Sequence, residues 1–372
     1  MKSKNIKRLF AVVPALLLVA ALLNSFALKE KEEEKKPVNE EKTSAVTNII
    51  YKSADGGQTW QDISKGLPER MQREGLWQDG LYTNDHAIYV RAGNGVYRNE
   101  SNSTTSSWTK DVLPGNQRNI VPTNSGILAY NIRGQFLKKI NGANKWVPVY
   151  TNFQEQAVQL DKMVDWMYTT YKEREVRSVF ETADGTVFIS SNNGLFRSTN
   201  GGKTWKHVHV GDGRMKLVEQ DGVLLSTGKD GVLRSTDNGE SWENVLSEGG
   251  LGIAVEPLTG GFATIVENVV TKTNTIHISQ DNGKTWNEIG AELQPSWNSL
   301  FMKRIGLIKS SPNIFAIKQM GKYLVCGRSD GIYRSSDMGK TWTKLALPDA
   351  QNKGFNLTVG GSTLYIMPNK GC

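Results

Sequence analysis

Residues 335–342 read SSDMGKTW, and close variants recur at 53–60 (SADGGQTW), 198–205 (STNGGKTW), 235–242 (STDNGESW) and 279–286 (SQDNGKTW). The shared pattern is S-x-[DN]-x-G-x-[TS]-W, and each position has a physical task. Asp55, Asn200, Asp237, Asp281 and Asp337 can accept hydrogen bonds from the amides of their own turn. The glycine suits a turn position with positive φ. Trp60, Trp205, Trp242, Trp286 and Trp342 can fold back over the turn and bury a ring. These ten residues are therefore read as structural, and the repeat as a coordinate system for the chain.

Two worn copies fill the gaps between them. GVYRNESNSTTSSW ends at Trp108 and keeps the lead-in GVYR of the later GIYR at 331–334; QFLKKINGANKW ends at Trp146. Seven tryptophans, at 60, 108, 146, 205, 242, 286 and 342, then mark seven units, which suits four short strands per unit. Around Trp205 the strands read as 177–181, 186–190, from 195 to 198, and 205–210, here termed A to D, with the repeated turn joining C to D. The first turn has only one strand before it, 46–52, whereas the last D strand, 342–347, is followed by two more, 355–359 and 363–367. The C-terminus is thus expected to supply strands A and B of the first unit and the N-terminal part strands C and D, leaving no open sheet edge. The predicted fold is an all-β, seven-bladed β-propeller of four-stranded antiparallel blades over residues 44–372.

On the five turn motifs the chain resembles the BNR or Asp-box propellers, a superfamily that includes sialidases, xyloglucanase-type glycoside hydrolases, sortilin-type receptors and photosystem II stability/assembly factor proteins. The single seven-bladed form is most similar to the last of these. The motif specifies a turn, not an activity. The resemblance implies that ligand residues lie on the face formed by the D–A and B–C connections, away from the Asp-boxes.

The N-terminus is organised differently. Lys2, Lys4, Lys7 and Arg8 precede the unbroken apolar run 9–23, and Ser25-Phe26-Ala27 follows. Residues 1–27 are read as a signal peptide cleaved after Ala27 or, since 9–28 approach a bilayer's thickness, as a retained anchor. Both place the body outside the cytoplasm, periplasmic or extracellular. Residues 28–43 carry five Lys and six Glu and are read as a charged, flexible tether. The net charge of +8 loses four with the leader and gains one without the tether, so the body carries about +5. That, with no recognisable module, excludes nucleic acid as an expected partner. The two cysteines, Cys326 and Cys372, fit no metal or redox spacing. Each would end a B strand of neighbouring blades, which makes them candidates for a disulfide across the ring closure. No metal or cofactor is expected.

Arg98, Arg197, Arg234 and Arg334 recur just before a repeat turn and are read as architecture. The remaining arginines gather in D–A connections, at strand A starts or near B–C connections. Arg73, Arg91, Arg118, Arg133, Arg177, Arg214, Arg304 and Arg328 are taken as a binding face, with Trp77, Trp166 and Trp297. Two long insertions, 152–175 and 294–312, fall on the same side, and the first has the apolar spacing of a helix over 152–172. Guanidinium forks bind carboxylate or phosphate, and large aromatics anchor interfaces. Acidic neighbours such as Glu69 and Glu175 supply the alternative, a self-paired solvated surface.

The sialidase-type enzyme would need three convergent Arg, a Tyr–Glu nucleophile pair and an Asp acid/base. The family's early Arg-Ile-Pro is missing; Arg304-Ile305-Gly306 comes late and lacks the proline. Other glycosidases need two carboxylates flanking the bond, yet Glu181, Glu219 and Glu256 occupy one repeat-equivalent position. The expected function is a non-catalytic extracytoplasmic propeller that binds a protein or anionic glycan partner; the alternative is a sialidase- or xyloglucanase-type glycoside hydrolase.

Overall fold

The computed structural model describes residues 49–372 except 70, 72–79, 85–86, 93–94, 101–106, 116, 118, 124, 144, 155–174, 212, 214, 248–249, 295–312, 349–354 and 369–372. The leader, the tether, the 152–172 helix beyond Gln154 and nearly all of the 294–312 insertion lie outside the described residues.

Seven four-stranded antiparallel sheets form the fold. Strands β1 (Tyr51–Ser53) and β2 (Gln61–Asp62) join β27 (Phe355–Gly360) and β28 (Thr363–Pro368) in blade 1, in the order β2-β1-β28-β27. Blade 2 holds β3 (Leu81–Thr83), β4 (Ala87–Ala92), β5 (Gly95–Glu100) and β6 (Thr109–Val112). Blade 3 holds β7 (Asn119–Thr123), β8 (Gly126–Tyr130), β9 (Phe136–Ile140) and β10 (Val147–Val149). Blade 4 holds β11 (Val176–Glu181), β12 (Val187–Ser191), β13 (Gly194–Ser198) and β14 (Lys206–Val210). Blade 5 holds β15 (Leu217–Gln220), β16 (Val223–Gly228), β17 (Gly231–Ser235) and β18 (Glu243–Leu246). Blade 6 holds β19 (Gly250–Leu258), β20 (Gly261–Asn268), β21 (Thr273–Ser279) and β22 (Asn287–Ile289). Blade 7 holds β23 (Ile314–Met320), β24 (Tyr323–Arg328), β25 (Gly331–Ser335) and β26 (Thr343–Lys344). The expected closure is present: Tyr51 pairs with Ile366 and Ser53 with Leu364.

The core is divided into seven clusters, one per junction between neighbouring blades. The period-2 alternation of the inner strands creates them. In β12, Val187 and Ile189 pack towards blade 3 while Phe188 packs towards blade 5. In β24, Leu324 and Cys326 face blade 6 while Val325 faces blade 1. This bears on the expected Cys326–Cys372 disulfide. Cys326 is a free, fully buried thiol, pushed up to about 12 by burial, and it points away from the blade that carries the C-terminal strand. Cys372 lies outside the described residues.

Polar stitches join adjacent blades. Thr83 Oγ1 lies 2.9 Å from Thr358 Oγ1, and Ser178 donates to the Met215 carbonyl at 2.6 Å. Lys138 donates to Glu181 at 2.8 Å, Glu219 accepts the Ala183 amide at 2.8 Å, and Lys318 donates to Glu256 at 2.5 Å. The three repeat-equivalent glutamates thus bind across blade junctions.

Each repeated turn is also pressed onto the blade before it. Gly57, Gly202, Gly239, Gly283 and Gly339 have φ between +75° and +87°. A Cβ at Gly239 would lie 2.4 Å from Phe188, and one at Gly339 2.3 Å from Ile289. Glycine is needed there both for its backbone and for its missing side chain. The turn at Gly222, between β15 and β16, has the same φ of +75° but open space around it. Gly222→Ala is therefore expected to cost only the left-handed backbone term, about 1 kcal/mol. Gly239→Ala adds overpacking and should cost about 2–4 kcal/mol in all. Denaturation midpoints of the two variants check the difference; equal losses would show that the contact with Phe188 is immaterial.

Candidate functional site

The repeated turns use their functional groups internally. In SSDMGKTW, Asp337 Oδ1 accepts the Ser335 hydroxyl at 2.7 Å and the Thr341 amide at 2.9 Å, and Oδ2 accepts the Thr341 hydroxyl at 2.6 Å. Ser335 Oγ in turn accepts the Gly339 amide at 2.7 Å. Asp55, Asp237 and Asp281 repeat the arrangement with Thr59, Ser241 and Thr285. Asn200 keeps it with one bond reversed, its amide donating to Thr204 Oγ1 at 2.7 Å.

The arginine before the turn reaches forward to the next blade. Arg197 Nε donates to the Asn238 carbonyl at 2.6 Å, Arg234 Nε to Asn282 at 2.8 Å and Arg334 Nη1 to Gly56 at 2.8 Å. The acceptor residue is left-handed in each case, with φ of 57°, 59° and 77°. Arg98 departs from this, lying 3.6 Å from Glu100, because the next unit's turn is one of the worn copies. Tryptophans reach backward. Trp60 Nε1 donates to Ala346 at 2.9 Å and Trp108 Nε1 to Ile63 at 2.7 Å, while Trp242 and Trp342 cap their own glycine carbonyls. Trp205 packs edge-on to Tyr150 and Phe153, and Trp286 against the blade 5–6 cluster.

The opposite face, made of D–A and B–C connections, is less committed. Arg133 sits exposed in the β8–β9 turn. Arg177, at the start of β11, is half-exposed, paired with Glu175 at 2.7 Å and donating to Asn192 Oδ1 at 2.8 Å. Arg91 is half-buried near the end of β4. Arg328 is a correction to the sequence reading: it is buried, donates to the Leu293 carbonyl at 2.9 Å, and lies 3.0 Å from Asp330 and 4.9 Å from the Tyr333 ring centre. It braces blade 7 and is not presented. Arg73, Arg118, Arg214, Arg304, Trp77, Trp166 and Trp297 lie outside the described residues.

Two features of this face escaped the sequence reading. Lys216, just before β15, is exposed and has no acidic partner among the described residues. Sorting arginines alone passed it over. Exposed aliphatics also collect here. Of the seven large exposed hydrophobics among the described residues, Val112, Ile132, Val210, Val269 and Val270 lie at D-strand ends or B–C turns, against Ile140 and Val147 on the other side. The signal was available at 269–272, where VVTK places two valines in a turn.

A cavity of ≈ 630 Å³ runs down the axis, lined by residues of all seven A strands. Arg177 and Lys216 stand at its D–A end, on strands stitched by the Ser178–Met215 hydrogen bond. Further in, Glu256 is the single carboxylate among its described lining residues, and Lys318 occupies it. Tyr82, Asn119 and Thr358 complete a mixed polar wall. Among the described residues no three His, Cys, Asp or Glu side chains gather as a metal site.

A family model described as the DUF6242 beta propeller domain matches residues 165–370. Among solved structures the chain is similar to a GH74 xyloglucanase from Xanthomonas campestris, at 14% identity and a TM-score of 0.55, covering 84% of this chain and 55% of that one. It is also similar to YCF48 from Cyanidioschyzon merolae, at 12% identity and a TM-score of 0.49, covering 76% of this chain and 91% of that one. The chain spans about half the length of the xyloglucanase, and the likeness at these identities is one of fold. No curated protein matches it.

The turn carboxylates carry a pH signature. In Asp55, Asp237, Asp281 and Asp337 the hydroxyl four residues on, then its amide, holds the carboxyl well below the usual range. A group depressed in the folded state stabilises the fold above its unfolded pKa and loses that contribution as pH falls. The melting temperature should therefore drop below about pH 4, where unfolded carboxylates take up protons. Asp237→Asn should flatten that slope while melting close to wild type at pH 7, as the natural Asn200 turn implies. Scans from pH 2 to 7 check this; an unchanged slope would mean that the turn carboxylate contributes nothing.

Proposed function

Because the chain belongs to the DUF6242 β-propeller domain family, whose model spans residues 165–370, we propose that it is a non-catalytic binding propeller whose D–A/B–C face docks a protein partner. The turns on the other face are read as Asp-boxes, in line with their Ser–Asp–Thr hydrogen bonds. One observation carries the proposal. The Asp-box face spends its carboxylates, arginines and tryptophans on turn and inter-blade bonds, while the opposite face leaves cations and aliphatics facing water. Arg133 and Lys216 supply charge for steering, and Ile132, Val269 and Val270 supply apolar area to bury. Aliphatic side chains at the rim favour a protein over an anionic glycan, since sugars are gripped by hydrogen bonds and flat aromatic rings. The N-terminal stretch, read as a signal peptide or a retained anchor, supports a partner outside the cytoplasm.

The glycoside hydrolase reading has less support. The described lining of the axial cavity offers one ion-paired carboxylate where two free ones are needed. A likeness to a xyloglucanase at 14% identity speaks for the fold alone.

Crosslinking pull-down from the native envelope, followed by binding measurements with the captured protein, tests the proposal. The combined variant Arg133→Glu, Lys216→Glu and Val270→Asp should weaken capture at least tenfold, with a melting temperature within a few degrees of wild type. Unaltered capture would sink it. Incubation with xyloglucan and with a fluorogenic sialoside from pH 4 to 8 should give no turnover; hydrolysis of either would replace the binding reading with an enzymatic one.

A further inference from the structure

A second cavity, of ≈ 280 Å³, opens on the flank of the ring between blades 4 and 5. Its floor is apolar: Met215, Leu233 and the half-buried Trp242. Its rim holds His209, Lys229 and Asp230. None of these three side chains makes a hydrogen bond or ion pair within the protein among the described residues. Asn244 does, donating to the Asp230 carbonyl at 3.1 Å, so it pins the Lys229–Asp230 turn at the cavity mouth.

Strand geometry aims His209 here. Two residues apart on a regular strand, His207 and His209 would share a face. The β13–β14 register shifts between Leu195 and Phe196, so His207 pairs with Phe196 and His209 with Leu195. Phe196 belongs to the blade 3–4 junction and Leu195 to the blade 4–5 junction. His207 accordingly stacks on Phe196, with ring centres 4.6 Å apart, and His209 turns to the other side. Such bulges re-aim side chains. The same shift occurs in blade 5, where Leu246 takes the place of His209 and is buried in the next junction. Blade 4 thus puts an unpaired imidazole where blade 5 puts a plug.

We infer that the blade 4–5 cavity is a binding site for a single neutral sugar residue. The rim combines an acceptor in Asp230, a donor in Lys229 and an imidazole that can do either, the mixture that vicinal hydroxyls require. The opposed charges of Lys229 and Asp230 disfavour a purely anionic or cationic ligand. The floor suits the C–H faces of a pyranose, and the size suits one ring. Burial, then His207 and Lys229, lowers the pKa of His209, which favours the neutral ring able to donate from one nitrogen and accept at the other. The site lies away from the axial cavity; its rim adjoins the D–A/B–C face through Val210 and the Lys229–Asp230 turn, but a sugar bound there needs no docked protein.

Saturation-transfer NMR with D-glucose, D-galactose, D-mannose and N-acetyl-D-glucosamine, each titrated to 50 mM, tests the inference. At least one should give saturable binding. His209→Leu copies the residue that blade 5 uses at this position; it should melt like wild type and weaken that sugar at least tenfold. Asp230→Ala, in an exposed turn, should also weaken it at least fivefold. No saturable binding by any of the four sugars overturns the inference, as does binding that both variants leave unchanged.

Discussion

The pairing of β1 with β28 is the constraint on which the ring depends. Three residue pairs, Tyr51–Ile366, Lys52–Tyr365 and Ser53–Leu364, join chain positions more than 300 residues apart. Without them blade 1 would be two half-blades, each with an unpaired strand edge inside the ring. With them, every blade gains two neighbours, and the core can be split among seven junctions of equal kind. The Trp60–Ala346 and Arg334–Gly56 hydrogen bonds lie across the blade 7–1 junction beside this closure, so the last turn and the first are clasped like the others.

Closure also accounts for the division of labour between the two faces. On one face each repeated turn touches the blade before it through glycine and tryptophan, and in three cases receives an arginine from that blade. These contacts leave little free for a ligand. The connections on the other face are not tied by the repeat and differ from blade to blade. Lys216 and the exposed valines gather there because no neighbouring turn claims them, and Arg177 stays half-exposed beside Glu175 and Asn192.

Much of this was legible from the chain itself, for reasons that particular residues make clear. Asp337 and Gly339 act through atoms within four residues of each other, so their pattern survives in the sequence. The closure was readable because strands before Ser53 and after Leu347 were unequal in number. Arg197, Arg234 and Arg334 were rightly set aside by their repeat position, though their forward reach to the next blade was not visible. Arg328 was misplaced because its partners, the Leu293 carbonyl and Asp330, come from the junction and the following turn. The side that Cys326 faces was not legible because one step along β24 decides which junction a side chain enters.

The sequence by itself determined the number of blades, the turn chemistry and the face on which each connection emerges, since all three follow from local hydrogen bonding repeated at a regular interval. Only the tertiary structure decided which charged groups are spent. Whether Glu256 is free depends on Lys318, 62 residues away across a blade junction. The same holds for His209. Its alternation along the strand is sequence-encoded, but a one-residue register shift, set by how β14 lies on β13, sends it to the opposite side.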